Sequence, residues 1–314
     1  PNVGVPVQWR LATDEGMNNV IASGQQLATP QLGHSIHVTA GQLKPDTWYW
    51  YQFSVNDEES VVARTRTMPP RFSNPKQLSF AAASCQSLEQ GYYTAYDRMA
   101  EDELDIIFHL GDYIYEYTAG NQGNIRKHHG GEIESLSDYR VRHAQYKLDP
   151  ALQKVHARCP WFVTWDDHEV DNNCAAEISE QKNVKPVDFL IRRAAAYQAF
   201  YENMPLRRTS IPTGPNLQLY RRGAFGQLAE FMVLDGRHYR SDQPNKDVRS
   251  PLNDAALNPE SSMLGSEQRN WLKQSLIKSR GTWNILAQQV MMGMVGMPSG
   301  DIPMTYSCLL YTSD

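Results

Sequence analysis

Four apolar runs in the sequence each break off into polar residues: IIFHLGD (Ile106–Asp112), WFVTWDDHE (Trp161–Glu169), FMVLDGR (Phe231–Arg237) and WNILAQQ (Trp283–Gln289). Short runs that are apolar at consecutive positions suit strands buried on both faces, as in sheets sandwiched between other layers. Helix-period segments lie between them. GYYTAYDRMAEDE, with Tyr93, Tyr96 and Met99 on one face, separates the strand-like QLSFAAASC from the first run, which makes a βαβ unit. SEQRNWLKQSLIKS leads into the fourth run, and AAAYQAFYENM reads as the buried face of another helix rather than a stacking platform for bases. In open α/β sheets the carboxyl ends of strands face a common crevice. Three of these ends carry carboxylates (Asp112; Asp166 and Asp167; Asp235), so one shared site is expected.

The N-terminal segment is of another kind. VPVQWRL alternates, with Val5, Val7, Trp9 and Leu11 on one face, and HSIHV repeats the pattern. In LKPDTWYWYQFSV, residues Leu43, Pro45, Thr47, Tyr49 and Tyr51 fall at every second position and are expected on one face of an entering strand. This resembles the L-x-P-x-T-x-Y-x-Y pattern of fibronectin type III and immunoglobulin-like sandwiches, in which a tyrosine bonds back to the backbone. The stretch is short of the roughly 100 residues of a complete sandwich, which suggests a partial one. The proline-rich TRTMPPRFSNPK, Thr65–Lys76, reads as a linker. The expected organisation is therefore an all-β unit over 1–68, a linker over 69–76 and an α/β unit over 77–314.

Charge excludes some functions. The 314 residues hold 30 basic and 35 acidic side chains, a formal net charge of −5, with no basic stripe for nucleic acid or an anionic membrane. No apolar run approaches the roughly 18 residues of a membrane span; the opening PNVGVPVQWR does not read as a signal peptide, which says little about export because the sequence does not begin with Met. Cys85, Cys159, Cys174 and Cys308 show no CxxC spacing, against a zinc ribbon or a thioredoxin-like motif. A Cys159–Cys174 disulfide stays open at this level.

Two clusters carry the chemistry. In GDYIYE, Asp112 emerges at a strand end with Tyr115 three residues on; a carboxylate and a phenolate suit a hard, highly charged cation, while a turn cap plus a packed ring is the alternative. In WDDHEVD, Asp166, Asp167, His168, Glu169 and Asp171 crowd one strand end. Such density costs several kcal/mol unless something positive compensates it. A metal pair is the expected compensation; a solvated acidic turn is the alternative. His128 and His129, in RKHHGG, read as solvated loop histidines.

Taken together, SFAAASCQ, FHLGDYIYE, FVTWDDHEVDNN, RRAAAYQAFYENMPLR, LDGRHYRSDQP and WNILAQQVMM resemble the PhoD family of alkaline phosphatases, relatives of purple acid phosphatases and other calcineurin-like metallophosphoesterases. The resemblance implies an α/β/β/α sandwich preceded by the small β unit, and metal-dependent hydrolysis of phosphate esters by an exported (secreted, periplasmic or cell-surface) enzyme. It implies iron together with calcium. The G-D-x-x-Y pattern falls on Gly111, Asp112 and Tyr115, making Asp112 the bridging carboxylate and Tyr115 an iron ligand. The G-N-H-E pattern falls on Asp166 to Glu169, with Asp167 in place of the metal-binding Asn and His168 in place of the histidine that assists the leaving group. Asp166 joins the expected metal-binding set, Cys85 of the SCQ turn becomes a candidate iron ligand, and Arg140 and Arg237 are candidate phosphate clamps, each with a structural salt bridge as its alternative.

The sequence also departs from that pattern. No G-D-x-H or G-H-x-H strand end follows the Q-Q-V-M-M stretch, no histidine follows His238, and MTYSCLLYTSD does not look like family sequence. The expectation is a fragment cut at both ends, with an open sheet edge, weak metal binding and slow turnover. Two alternatives remain: a phospholipase D-like diesterase of the same fold, and a non-catalytic secreted binding protein. The substrate is expected to be a small phosphate ester, and nothing in the sequence sets the number of subunits.

Overall fold

A computed structural model describes residues 3–247, 250–251, 253–290, 296–299 and 302–305. The N-terminal strands β1 (Val5–Ala12), β2 (Val20–Ala28), β3 (Trp48–Val55), β4 (Glu58–Glu59) and β5 (Ala63–Arg66) form one antiparallel sheet, ordered β2-β1-β3-β4 with β5 also on β3. The expected all-β character holds, and Tyr49 behaves as the pattern predicts: its buried hydroxyl accepts the Lys44 N–H at 2.9 Å. Three local expectations are corrected. HSIHV forms no strand; instead the His37 ring stacks on Tyr201 at 4.2 Å and its Nδ1 bonds the Leu206 carbonyl at 2.8 Å. Leu43 to Thr47 precede β3 rather than belonging to it, and Thr65 and Arg66, read as linker, complete β5.

Arg66 pairs with both Asp46 and Asp105, and Arg64 donates its backbone N–H to Ala157 at 2.9 Å. The β sheet is thereby bonded to the α/β unit. Residues 67–79 carry neither strand nor helix. They are held by the turn at Gly226 and Gln227, where the Gln227 N–H donates to the Ser73 carbonyl at 2.8 Å.

The α/β unit contains two three-stranded sheets. β6 (Phe80–Ala83), β7 (Ile106–His109) and β8 (Trp161–Val163) are parallel, with α1 (Thr94–Met99) inside the βαβ unit. In the second sheet β10 (Ala229–Val233) pairs antiparallel with β9 (Arg221–Phe225) and parallel with β12 (Trp283–Ala287). A separate small sheet joins β11 (Ser250–Pro251), β13 (Gly296–Ser299) and β14 (Ile302–Thr305). Cys308 and Met292 lie outside the described residues.

Alternation explains the layers. On β7, Ile106 and Phe108 face the second sheet, where Phe108 and Phe162 meet Phe231 at 5.4 and 4.8 Å. Ile107 faces α2 (Leu136–Lys147), α3 (Pro150–His156) and α4 (Pro186–Asn203), whose Tyr139, Tyr146, Leu152, Phe189 and Phe200 are fully buried with it. On β10, Phe231 and Val233 point into the inter-sheet core, and Met232 faces the outer cluster that includes Trp271 and Leu272 of α5 (Gly265–Ile277). The result is helices, sheet, sheet, helix. A strand apolar at every position can only be satisfied this way.

Local chemistry fixes the helix starts. Ser135 and Asp138 form a reciprocal capping box on α2, and Asp149 accepts the Leu152 N–H at 3.0 Å ahead of Pro150 on α3.

Inside the helical layer His143 is fully buried, packed near Tyr113 and Phe200, with no hydrogen-bond partner on either ring nitrogen among the described residues. Burial, with Lys147 nearby, pushes it down to about 3 from 6.5. A base whose folded pKa is depressed takes its proton in the unfolded chain first, so its stabilising effect is present above pH 6.5 and lost as the pH falls. At pH 5 that loss is about 2 kcal/mol for this one group. His143→Leu is therefore expected to gain about 2 kcal/mol relative to wild type between pH 8 and pH 5. Urea unfolding at the two pH values measures it; parallel curves would show that His143 is not held neutral.

Candidate metal centre

The ends of five strands meet. After β6 comes Cys85, after β7 Gly111 and Asp112, after β8 Asp166 and Asp167, after β10 Asp235 and Arg237, and after β12 Gln289. Hydrogen bonds lock these turns together. The Cys85 N–H donates to Gly111 and the Gln86 N–H to Asp112, both at 3.1 Å. Gln289 Nε2 donates to the Trp165 and Leu234 carbonyls at 2.6 and 3.0 Å, and Thr164 Oγ1 donates to Leu234 at 2.7 Å, which ties the two sheets at the rim.

The approach is close enough to require glycine at 111, where φ is +109° and a Cβ would sit 2.4 Å from the Asp166 nitrogen. Cys85 and Asp112 hold φ of +56° and +55° without being glycine, a left-handed conformation that costs energy and concentrates at functional sites.

The acidic cluster is compensated residue by residue. Arg237, fully desolvated, binds Asp166 through Nε and Asp167 through an NH2 contact of 3.3 Å. Glu169 is buried and accepts three backbone N–H groups: Asp112 at 3.0 Å, Tyr113 at 2.6 Å and Asp166 at 2.8 Å. Asp171 pairs with Arg192 at 3.2 Å and accepts from Ser179. His168 Nδ1 lies 2.8 Å from Glu116. Most of the charge that a metal pair was expected to neutralise is thus met by arginines and backbone amides.

What remains is specific. Asp112, Asp167 and His168 bring one ligand atom each within 4.8 Å of one another. Asp112 Oδ1 is buried with no hydrogen-bond partner among the described residues, while Oδ2 accepts the Tyr115 hydroxyl at 3.2 Å. Burial first, then the charges of Asp166 and Asp167, push the Asp112 carboxyl up to about 7. Burial works against the Asp167 carboxylate too, but Arg237, His168 and the Asn173 N–H outweigh it and hold its pKa below the ordinary value. Burial would lower His168, yet the Glu116 hydrogen bond and the carboxylates raise it to about 10. An orphaned carboxylate oxygen beside a second carboxylate and an imidazole is a donor set that fits a hard cation.

The sequence-predicted residues are placed unevenly. Asp112, Asp167 and His168 meet in the three-donor group; Tyr115 and Cys85 flank Asp112. Burial and Asp112 push the Cys85 thiol up to about 12, so it ionises only against a compensating cation. Asp166 and Arg237 are in the cluster but occupied with each other. Arg140 is not brought there: its guanidinium grips Glu202 of α4 at 2.6 and 2.7 Å and reaches the Gln31 carbonyl of the N-terminal unit. The salt-bridge alternative describes both arginines. Cys159 and Cys174 are separate free thiols. His128 is buried, not solvated, between Glu89 and the Tyr146 hydroxyl, whereas His129 is exposed.

Sequence reasoning passed over Glu116, though it ends the quoted GDYIYE, and treated Glu169 only as charge. The one available signal for Glu116 was its place directly after Tyr115, in a segment already singled out.

Sequence and fold both match known proteins. The sequence profile of the PhoD-like phosphatase family matches residues 80–307, and that of the PhoD-like phosphatase N-terminal domain matches residues 2–69. Alkaline phosphatase D of Bacillus subtilis (strain 168) is 50% identical over 294 residues, which cover 92% of this chain and 50% of that protein. The chain thus spans about half the length of that curated relative. A solved structure of PhoD superposes with a TM-score of 0.96 at 46% identity, covering 99% of this chain and 60% of that one. With both units matched in order and the fold superposed along nearly its whole length, the chain belongs to the PhoD-like phosphatase family.

Proposed function

We propose that this chain hydrolyses phosphate esters at a metal centre built on Asp112 and Asp167, with His168 beside them as the proton donor. The observation that carries the reading is the meeting of those three donors, one with an orphaned buried oxygen, at the convergent strand ends. In this reading Cys85, Asp112 and Tyr115 would hold iron, and Asp167 would hold calcium together with Asp166, one of whose oxygens Arg237 already takes. When bound, such cations polarise a phosphoryl group and lower the pKa of water so that hydroxide is available near neutral pH. The chain's own residues do the rest. Arg237 keeps the two carboxylates of Asp166 and Asp167 apart from solvent and in place. His168 donates a proton to the departing oxygen. The preference for a monoester and an exported setting both go with the family resemblance. No helix among the described residues is long and apolar enough to cross a membrane.

Hydrolysis of p-nitrophenyl phosphate and of bis(p-nitrophenyl) phosphate, each before and after treatment with a chelator, tests the reading. Chelator-sensitive hydrolysis with the monoester at least about tenfold faster is expected, a gap of about 1.4 kcal/mol. A faster diester reaction would replace the monoesterase by a diesterase. Folded protein with no hydrolysis of either substrate in the presence of iron and calcium would contradict the proposal.

A further inference from the structure

Three consecutive residues after β7 enclose one imidazole. Tyr115 stacks on His168 with ring centroids 4.2 Å apart, Tyr117 meets it edge-on at 5.2 Å, and between them Glu116 takes its Nδ1 at 2.8 Å. The Glu116 carboxylate is only 1% exposed, and its other oxygen accepts the Asn172 N–H at 2.8 Å. One oxygen on the ring and one on the backbone stop the carboxylate from rotating. The segment that carries it is itself held: the buried Arg142 donates to the carbonyls of Tyr115 and Tyr117, and the Ile133 N–H donates to the Glu116 carbonyl at 3.0 Å.

We propose that Glu116 is the positioning residue of the site, fixing His168 with its proton on Nδ1 and leaving Nε2 as the nitrogen available for chemistry. The role of Nε2 rests on the phosphoesterase reading; the orientation of the ring does not. A histidine whose second nitrogen is held by a carboxylate is more basic and confined to one ring orientation. Neither Tyr115 nor Tyr117 can substitute for that, since each offers His168 a ring face or edge in these contacts. Glu116 also supports the turn at Asn172, so its contribution to turnover must be separated from a loop-holding role.

Two measurements on the purified protein separate them. With 15N-histidine labelling, a downfield Nδ1–H resonance assigned by its loss in His168→Ala is expected in wild type and absent in Glu116→Ala. In turnover, Glu116→Ala is expected to lower kcat about 10- to 100-fold, the usual scale for such outer carboxylates, with KM changed less than about twofold. Glu116→Gln, which keeps one acceptor oxygen, is expected to retain more activity and serves if the alanine variant unfolds. In a His168→Ala background Glu116→Ala should cost nothing further, because its effect passes through the ring. An unchanged resonance in Glu116→Ala, or a full additional loss in the His168→Ala background, would overturn the proposal. If no variant and no wild type hydrolyses phosphate esters, the phosphoesterase reading fails, and the resonance alone decides whether Glu116 holds the ring.

Discussion

Asp112→Asn is expected to lower phosphate-ester turnover by at least about 10³-fold while leaving the metal-free fold as stable as wild type or more so. About 4 kcal/mol of transition-state stabilisation corresponds to that rate, within what a metal ion supplies. Of the three grouped donors, Asp112 is the one with a buried oxygen that has no hydrogen-bond partner among the described residues. Its neighbours make matters worse, since burial and then Asp166 and Asp167 all disfavour its charge. The asparagine side chain has nearly the same shape without the charge, so the substitution removes a ligand and a repulsion together. Steady-state kinetics and urea unfolding in a chelator at pH 8 measure the two effects. A variant that is destabilised and equally active would show that Asp112 is a structural carboxylate.

Arg237→Leu is expected to act in the opposite sense and cost about 3–5 kcal/mol of stability, because removing one partner of a buried ion pair strands the other. Here one guanidinium serves two carboxylates, Asp166 and Asp167, inside the rim of the sheets. Burial, and after it the charge of Asp167, disfavour ionisation of Asp166, and Arg237 is the largest opposing influence. Adding Asp166→Asn to Arg237→Leu should recover part of the loss, since the stranded charge goes with it. Chemical denaturation of the two single variants and the double variant gives the coupling energy. Additive losses would mean that Arg237 does not stabilise through Asp166.

The sequence carried the strand ends well because one physical rule sets them. A run such as Ile106–Leu110, in which the buried His109 is the single polar member, has too little polar surface to face water, so it lies between layers, and the next polar residues appear at the rim. Asp112 and Asp167 were legible on that ground. The helix face of AAAYQAFYENM was legible for a similar reason: Tyr197 and Phe200 fall at helical spacing, and Trp165 stacks on Tyr197 at 4.0 Å. HSIHV failed because alternation states only that one face is apolar, not that a neighbouring strand exists. His37 found Tyr201 of α4 instead.

Compensation within the cluster was not legible, because it depends on contacts across the fold. Arg237 is paired with Asp166 from a different sheet, and Glu169 is satisfied by backbone N–H groups, which carry no sequence signal. Counting acids along WDDHEVD therefore overstated the charge left for a metal. The same limit hid Glu116, whose importance comes from facing His168 across 52 positions. Arg140 had the chemistry of a phosphate clamp, but Glu202 on the neighbouring helix claims it.

The most direct test of the metal centre is elemental analysis and the visible spectrum of the purified wild type and of Asp112→Asn, after equilibration with iron and calcium and removal of the excess. Wild type is expected to retain iron in stoichiometric amount with a tyrosinate-to-iron charge-transfer band, and Asp112→Asn to lose both. A wild-type protein that is folded, colourless and free of both metals after that treatment would contradict a metal centre at Asp112 and Asp167.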